Sequence, residues 1–402
     1  MAPNNLPAQL EKCVELIDRE LIIEIAQKHE ASDERQRSMT TLTFFWSLVL
    51  SVEDKVYHGF YPAMVSAFHK LTGESILKQS ISEQMQRRDW RWLKDIYEQL
   101  LKQYWDRLDG IDKDYLEQFE DFRAVDATVI HVVKTLRQKF RATTRGLAAL
   151  KINTVYTLKK FVPLKLEITP EIVHEVNFNF LTREKGILYV FDLGWWCYDL
   201  FGKIMDHKSF FVCRLKDGAD VAIKEFRCKG YSAVSGRKRL SLKELLDCGN
   251  LGGDRFDAMV KLGDMKKRVR LAGLKHNGEW YFYVTNITDE KFTPQRIYEI
   301  YRYRWQIEIF FKELKSNISL RHIVTKNENA IMLEIYATLI FYLLTRTLMS
   351  KASKGLSVGK SLAEVKRRLA DVIVPMLLGR ARIFKSELRG LLQYLAVHCK
   401  PG

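Results

Sequence analysis

The chain has 402 residues, and its 65 lysines and arginines outnumber its 49 aspartates and glutamates to leave a formal charge of +16. That length allows two or three domains around a sizeable core. The basic excess favours a polyanionic partner through counterion release and steering, nucleic acid first and an anionic membrane surface second. The longest uncharged apolar runs, Ser38 to Val52 and Ile335 to Thr345, fall short of the ~18 residues of a membrane span and read as core helices. The N-terminal MAPNNLPAQLEKCVEL shows no basic segment followed by an apolar one, so no secretion signal is read there. Cys13, Cys197, Cys213, Cys228, Cys248 and Cys399 form no CxxC pair, which predicts a reduced, zinc-free, cytoplasmic protein.

In chain order, residues 1–118 carry helical apolar periodicity, with turn signals at Ser32-Asp33, Gly59 to Pro62 and Thr72-Gly73. They are expected to form a helical N-terminal region that binds DNA. Within it, KLTGESILKQSISEQMQRRDWRWLKDIYEQLL fits a helix, a turn and a second helix starting near Ser80 or Ser82, with Arg87, Arg88, Arg91 and Lys94 offered to phosphates. A solvated basic helix explains the same stretch equally well.

From residue 121 the period becomes two. The runs FRAVDATVIHVV, INTVYTL, VPLKLEIT, GILYVFDLG and SFFVCRL read as strands, and EIVHEVNFNFLTREK reads as a helix between the third and fourth. Strands interleaved with helices predict a mixed sheet covered on its faces, with a first core segment over 119–215. Residues 216–279 are rich in glycine and charge, KEFRCKGYSAVSGRKRLSLK holding seven basic residues against one acid, and are expected to be an inserted β-rich subdomain. WYFYVTNI returns the chain to a second core segment, 280–350, and residues 351–402 form a basic helical C-terminal region.

The second core segment contains YRYRWQIEIFFKELK. At ~100° per residue, Tyr301, Arg304, Glu308 and Lys315 share one polar stripe of a helix that starts with Thr293 as N-cap and Pro294 in its first turn. Tyr303, Ile307, Phe310, Phe311 and Leu314 make the apolar side. By itself the stripe is compatible with an i,i+4 ion pair between Arg304 and Glu308 at a helix edge. Two further acids stand where pattern does not demand them: Asp126 inside the apolar strand FRAVDAT, and Asp192 at the end of ILYVF, just before the turn residue Gly194. Either could cap a turn, but a carboxylate at the end of a buried strand is costly unless satisfied. Together with Glu308 they form a possible set of oxygen ligands for two Mg²⁺ ions acting on a phosphodiester. No nucleotide-binding GxxxxGK[ST] loop, HExxH or GxSxG competes with them.

The spacing Tyr301-x2-Arg304-x3-Glu308-x6-Lys315 resembles the Y-R-E-K signature of bacterial cut-and-paste DDE transposases of the insertion sequence four family. FRAVDAT is similar to that family's first-aspartate strand, and Asp192-Leu193-Gly194-Trp195 to its D-x-G-[FY] segment, with a larger aromatic ring. The resemblance runs from about 121 to 350. It implies an α/β fold with an RNase H-like catalytic core, a β insertion between the second aspartate and the glutamate, and helical flanks. It further implies that Asp126, Asp192 and Glu308 are catalytic and hold two Mg²⁺ ions, with Mn²⁺ as a substitute.

The chemistry so implied is cleavage of one strand at each transposon end, attack of the freed 3′-OH on the opposite strand to form a hairpin, reopening, and joining to target DNA. Tyr301, Arg304 and Lys315 then contact phosphates at the transposon terminus. Hairpin formation needs a base moved out of the stack, and Trp280 is the candidate platform for it, unless it simply packs under the insertion. Trp195 and Trp305 are expected in the core. The implied partners are double-stranded DNA, as terminal inverted repeats and target, and a second copy of the chain in a synaptic homodimer. No membrane or nucleotide cofactor is expected, and the setting is the bacterial cytoplasm at the nucleoid. A transposase-derived DNA-binding protein, or an RNase H-like nuclease without strand transfer, would share the basic surfaces or the three acids.

Overall fold

The computed structural model describes residues 17–32, 39–182, 184–227, 240–241, 253–317, 327–352 and 358–398. The chain divides into two compact units, one made of 1–109, 130–149 and 312–402, the other of 110–129 and 150–311.

The first unit is helical. Helices α1 (Arg19–Lys28), α2 (Thr41–His58), α3 (Phe60–Thr72), α4 (Lys78–Arg87) and α5 (Arg91–Tyr104) follow one another. α5 buries Trp92, Leu93, Ile96, Tyr97, Leu100, Leu101 and Tyr104, the three- and four-residue spacing of a single apolar face. The expected second helix of the 70–101 stretch is two helices, because the chain breaks after Arg87. Arg88 is fully buried there and donates to Gln84 Oε1 (3.1 Å), Thr41 Oγ1 (3.3 Å) and the Ala31 carbonyl. The expectation that Arg88 is offered to phosphates is therefore corrected: its charge is spent on holding α4 against the loop before α2.

The second unit is built on a ten-stranded sheet in the order β3-β2-β1-β4-β5-β10-β9-β8-β6-β7. The strands are β1 (Asp121–Val132), β2 (Ala148–Thr157), β3 (Val162–Pro170), β4 (Ile187–Phe191), β5 (Phe210–Arg214), β6 (Val221–Phe226), β7 (Leu240–Ser241), β8 (Arg255–Leu262), β9 (Val269–His276) and β10 (Glu279–Thr285). β4 runs parallel to both β1 and β5, and β10 runs antiparallel to β5 and β9. This is a mixed sheet, as the strand patterns predict.

Two expectations differ from what is observed. The block 216–279 does supply strands, but β6 to β9 are hydrogen-bonded into the same sheet as the core, because β10 pairs with β5 on one side and β9 on the other. Its basic stretch 228–239 and the segment 242–252 lie outside the described residues, as do Cys13, Cys228, Cys248 and Cys399. The predicted helix at 171–185 is a single 3-10 turn, Glu175–Asn177, followed by extended chain. Phe178 and Phe180 are buried beside Trp195 while Asn177 and Asn179 are exposed, a period of two that an α-helix does not satisfy.

Each face of this sheet is covered differently. Helix α6 (Tyr198–Asp206) links β4 to β5 and packs Phe201 on Phe191 and Phe211, with ring centroids 6.0 and 4.6 Å apart. Val125, Phe191, Cys213, Phe282 and Val284 belong to that core. Helix α7 (Pro294–Arg302) lies over β4, β5, β8 and β9, and helix α8 (Trp305–Asn317) follows it. Tyr303 between them meets Phe122 of β1 edge to face at 6.0 Å, so the α7–α8 turn sits on the face carrying the even-numbered residues of β1.

Helices α9 (Glu328–Ala352), α10 (Val358–Leu377) and α11 (Ala381–His398) belong to the first unit. Residues Glu328–Leu348 are long and apolar enough to cross a membrane, but they are wholly buried, packed by α2, α5 and α10. Asn329 ties α9 to the α4–α5 break, accepting from the Trp90 N–H and donating to the carbonyls of Met85 and Arg88. Arg88→Leu is expected to lower unfolding free energy by roughly 2–4 kcal/mol, since it strands several buried acceptors. Lys94→Ala, which breaks only a surface pair with Glu98, should stay within about 0.5 kcal/mol in the same denaturant titration.

Candidate active site

The parallel pairing of β1 and β4 runs from Asp121↔Ile187 to Val125↔Phe191. Asp126 and Asp192 are the next residues on their strands, so the register brings them to neighbouring positions about 5 Å apart in backbone, on the same face. Val125, Phe191 and Cys213 point into the α6 core, and alternation turns Asp126 and Asp192 to the α7–α8 side. Asp126 accepts from the Ala127 N–H at 2.8 Å, and Asp192 accepts from the Gly194 N–H at 2.9 Å. A glycine after Leu193 leaves room for two carboxylates. A Cβ there would lie 2.5 Å from Glu175 Oε2 and 3.1 Å from Asp192 Oδ1, and Glu175 is held in place by the buried Lys151.

The helix expected over 301–315 starts as predicted, with the Thr293 hydroxyl accepting from the Arg296 N–H and Pro294 at the first position. It is then interrupted. The N–H groups of Tyr303, Arg304, Gln306 and Ile307 bond to carbonyls three residues back, so the chain tightens between α7 and α8. Residues three apart eclipse in such a turn, and the Arg304 guanidinium lies over the Tyr301 ring at 5.7 Å. From there Arg304 donates to Asp126 Oδ2 at 3.1 Å and to Glu308 Oε1 at 2.6 Å. Tyr301, Arg304, Glu308, Asp126 and Asp192 are thus brought together within the second unit. The i,i+4 ion pair between Arg304 and Glu308, one of the two readings of the stripe, is present and is extended to a second acid.

The electrostatics follow from this crowding. Burial chiefly, and then the charge of Asp192, push the Asp126 carboxyl up to about 7; Glu308 adds to the rise, while the Ala127 N–H and Arg304 oppose it. Burial works against the Arg304 cation, but Tyr301, Asp126 and Glu308 outweigh it and hold its pKa above the ordinary guanidinium value. The donor set, three carboxylates, suits hard divalent cations. As the side chains stand, no group of three or more acids, histidines or cysteines among the described residues is close enough to enclose an ion. Arg304 lies between two of the three acids.

Beside the acids opens a cleft of about 680 Å³ lined by Arg214, Tyr281, Tyr283, Tyr298, Tyr301, Arg302 and Trp305 among others. Tyr283 packs on Tyr301 at 4.8 Å, and Arg214 and Arg302 lie over the rings of Tyr281 and Tyr298. Trp280 is set apart from these groups. It stacks on Phe282 at 5.5 Å and packs against the α6-side core, because β10 alternates and gives its tyrosines, not Trp280 and Phe282, to the acid side. Trp195 is fully buried, as expected, whereas Trp305 is 60% exposed and not in the core. Lys315 falls in the last turn of α8, beyond the unit boundary at Phe311. Arg214, Tyr281, Tyr283 and Tyr298 were not singled out from sequence. The usable signal was the alternation of WYFYV, which sends two tyrosines one way and Trp280 and Phe282 the other.

Two carboxylates at neighbouring positions of parallel strands, one within β1 and one just past β4, a third on a helix packed over them and an RNase H-like order of strands define the class of metal-dependent enzymes that act on polynucleotide phosphodiesters. The model of the transposase DDE domain matches residues 117–344, more than half of the chain. The chain is 30% identical over 236 residues to y4zB of Sinorhizobium fredii, whose name classes it with transposases; the match covers 56% of this chain and 60% of that protein. The transposases of insertion sequence elements IS231F from Bacillus thuringiensis subsp. israelensis and IS231E from B. thuringiensis subsp. finitimus are 22% and 23% identical. They match over 76% and 72% of this chain, and over 74% and 69% of their own lengths. The chain belongs to the DDE transposase family, in its insertion sequence four-like branch, whose enzymes cut DNA and transfer strands with divalent metal.

The pH dependence of metal binding tests the electrostatics. With the folded pKa of Asp126 above its ordinary 3.8, the folded chain holds a proton between about pH 4 and 7 that the unfolded chain sheds. Stability contributed there is lost as pH rises through that window. A divalent cation held by Asp126 would require the carboxylate, so on that assignment Mn²⁺ affinity should climb by up to about tenfold per unit from pH 5 to 7 and flatten above. Calorimetric titration at three pH values checks this, and a flat profile would contradict it.

Proposed function

We propose that this chain excises and inserts an insertion sequence as a cut-and-paste transposase. Asp126, Asp192 and Glu308 would serve as the catalytic carboxylates and hold two Mg²⁺ ions, with Mn²⁺ as substitute. The observation that carries the reading is the register of β1 and β4. It delivers two acids to one point of a mixed sheet, where Arg304 links one of them to Glu308. When bound, the ions supply Lewis acidity at the scissile phosphodiester. The chain's own residues do the rest.

Asp126 would hold an ion as its carboxylate, its proton passing to water. Tyr301 and Arg304 meet the terminal phosphate with a hydroxyl and a planar fork, and Lys315 adds a point charge further along α8. The hairpin route needs an unstacked base. The aromatic platform for it passes from Trp280 to the cleft, where Tyr281, Tyr283, Tyr298 and Trp305 offer ring faces and Arg214 and Arg302 offer charge, in a volume that fits a nucleotide.

The DNA partners are the terminal inverted repeats and the target duplex, and cutting two ends together calls for a homodimer in the synaptic complex. Residues 1–118 and the basic C-terminal region 351–402 are the remaining DNA-binding candidates, flanking the catalytic core of 119–215 and 280–350 with its insertion 216–279. The setting is the cytoplasm at the nucleoid.

With duplex DNA carrying the element's ends and Mg²⁺, the unmodified chain should give hairpin and strand-transfer products. Glu308→Gln should lose both and keep DNA binding, with Ca²⁺ as the binding-only control. Binding without any cleavage by the unmodified chain would sink the reading. Lys315→Ala should weaken end binding and reduce the salt slope by about 1; unchanged affinity and slope would remove Lys315 from the phosphate contacts.

A further inference from the structure

Arg304 is bonded to two of the three acids that the proposed function assigns to metal, and the same side chain is assigned to a DNA phosphate. Three anions gathered round one guanidinium repel one another, so the two uses compete. We propose that Arg304 is a built-in cation that occupies Asp126 and Glu308 until a DNA phosphodiester draws it away, so that divalent metal and DNA bind interdependently. This rests on the reading of the three acids as the metal site.

Three observations support it. First, one guanidinium spans both acids, Nη1 on Asp126 Oδ2 at 3.1 Å and Nη2 on Glu308 Oε1 at 2.6 Å, and it takes up oxygens that a hard cation would need. Second, all three groups are largely withdrawn from water, at 16% exposure for Arg304, 14% for Asp126 and 31% for Glu308. Their competition is therefore weakly screened, and an arginine does not resolve it by losing its proton. Third, the Nε–H of Arg304 is buried and has no acceptor. The two carboxylates leave that donor unpaired.

A phosphate meeting Nε and its neighbouring Nη side-on would pair it, since arginine binds phosphate through two parallel N–H groups. DNA therefore offers this side chain a bond that the acids do not. Once the guanidinium turns to the phosphate, the oxygens of Asp126 and Glu308 are freed beside Asp192, and a divalent cation can take them in place of the guanidinium. By linkage the effect is reciprocal: metal on the acids releases Arg304 and tightens its grip on DNA.

The test measures free Mn²⁺ by its electron paramagnetic resonance signal, on the full chain, with and without a duplex carrying its element's end and with the duplex alone as blank. The unmodified chain should bind Mn²⁺ about fivefold or more tightly when the duplex is present. Arg304→Gln, which keeps length and polarity without charge, should bind Mn²⁺ about fivefold more tightly than the unmodified chain in the absence of DNA, and gain less than twofold from DNA. Arg304→Lys, a charge that cannot bridge both acids, should fall between them and serves if the glutamine variant does not fold.

Mn²⁺ affinity in folded Arg304 variants equal to or weaker than that of the unmodified chain, and still abolished by Glu308→Gln, would overturn the competition and leave the metal site standing. Mn²⁺ binding that ignores Glu308→Gln in every background would overturn the metal-site reading and this inference with it.

Discussion

Asp126 and Asp192 stand side by side because β1 and β4 are parallel and in register, and two carboxylates so placed repel each other. The rest of the site is a response to that repulsion. The strands cannot slip to relieve it, since a one-residue shift would turn Val125 and Phe191 out of the α6 core and the acids into it. The far end of β1 is pinned as well. Buried Asp121 accepts from the Phe122 N–H, the Thr157 hydroxyl and the Arg123 guanidinium, and Arg123 reaches on to Thr182 and Glu184. One strand thus carries two buried acids with opposite fates. Asp121 is satisfied by three fixed donors, whereas Asp126 has one backbone N–H and a charge borrowed from the α7–α8 turn.

The sheet's alternation divides structure from chemistry. On one face of β4, β5 and β10, Phe191, Cys213, Phe282 and Val284 build a dry core with α6. On the other, Asp192, Arg214, Tyr281 and Tyr283 meet α7 and the turn after it. The insertion contributes without being a separate body: because β9 continues the ladder from β10, its strands stiffen the edge on which the cleft tyrosines stand. Substitutions on the two faces are therefore expected to fail differently, one in folding and the other in what the cleft holds.

Much of this was legible in the amino-acid sequence because the informative residues violate their local pattern. Asp126 and Asp192 interrupt apolar strands, and Gly194 follows the second; each departure costs free energy in a packed sheet and therefore signals a use. The N-terminus of α7 was legible too, since Thr293 and Pro294 act locally. What escaped depends on distant contacts. Helical stepping placed Tyr301, Arg304 and Glu308 on one stripe, but the tightening at Tyr303 depends on that ring finding Phe122, nearly two hundred positions away in sequence. Phe178 and Phe180 read as part of a helix because their partner, Trp195, lies outside any local window. Trp305 was assigned inward on hydrophobicity alone, which says nothing of the cleft it borders. Arg88 was assigned outward for its charge, although the carbonyl and side-chain oxygens of three other residues await it inside.

The break between α7 and α8 gives Arg304 its double role a structural basis. In an unbroken helix an arginine four residues before a glutamate makes a surface pair worth a few tenths of a kcal/mol, and that is all it does. The 3-10 turn rotates Arg304 relative to that geometry and sets it over Tyr301 and against β1, where it meets a second carboxylate from a different element. A cation shared between a strand acid and a helix acid ties the helix to the strand. Moving it to a phosphate exchanges a bond within the protein for one to DNA and leaves the two acids to a metal. On the proposed exchange, the cation that ties helix to strand also keeps the acids occupied until a phosphodiester arrives.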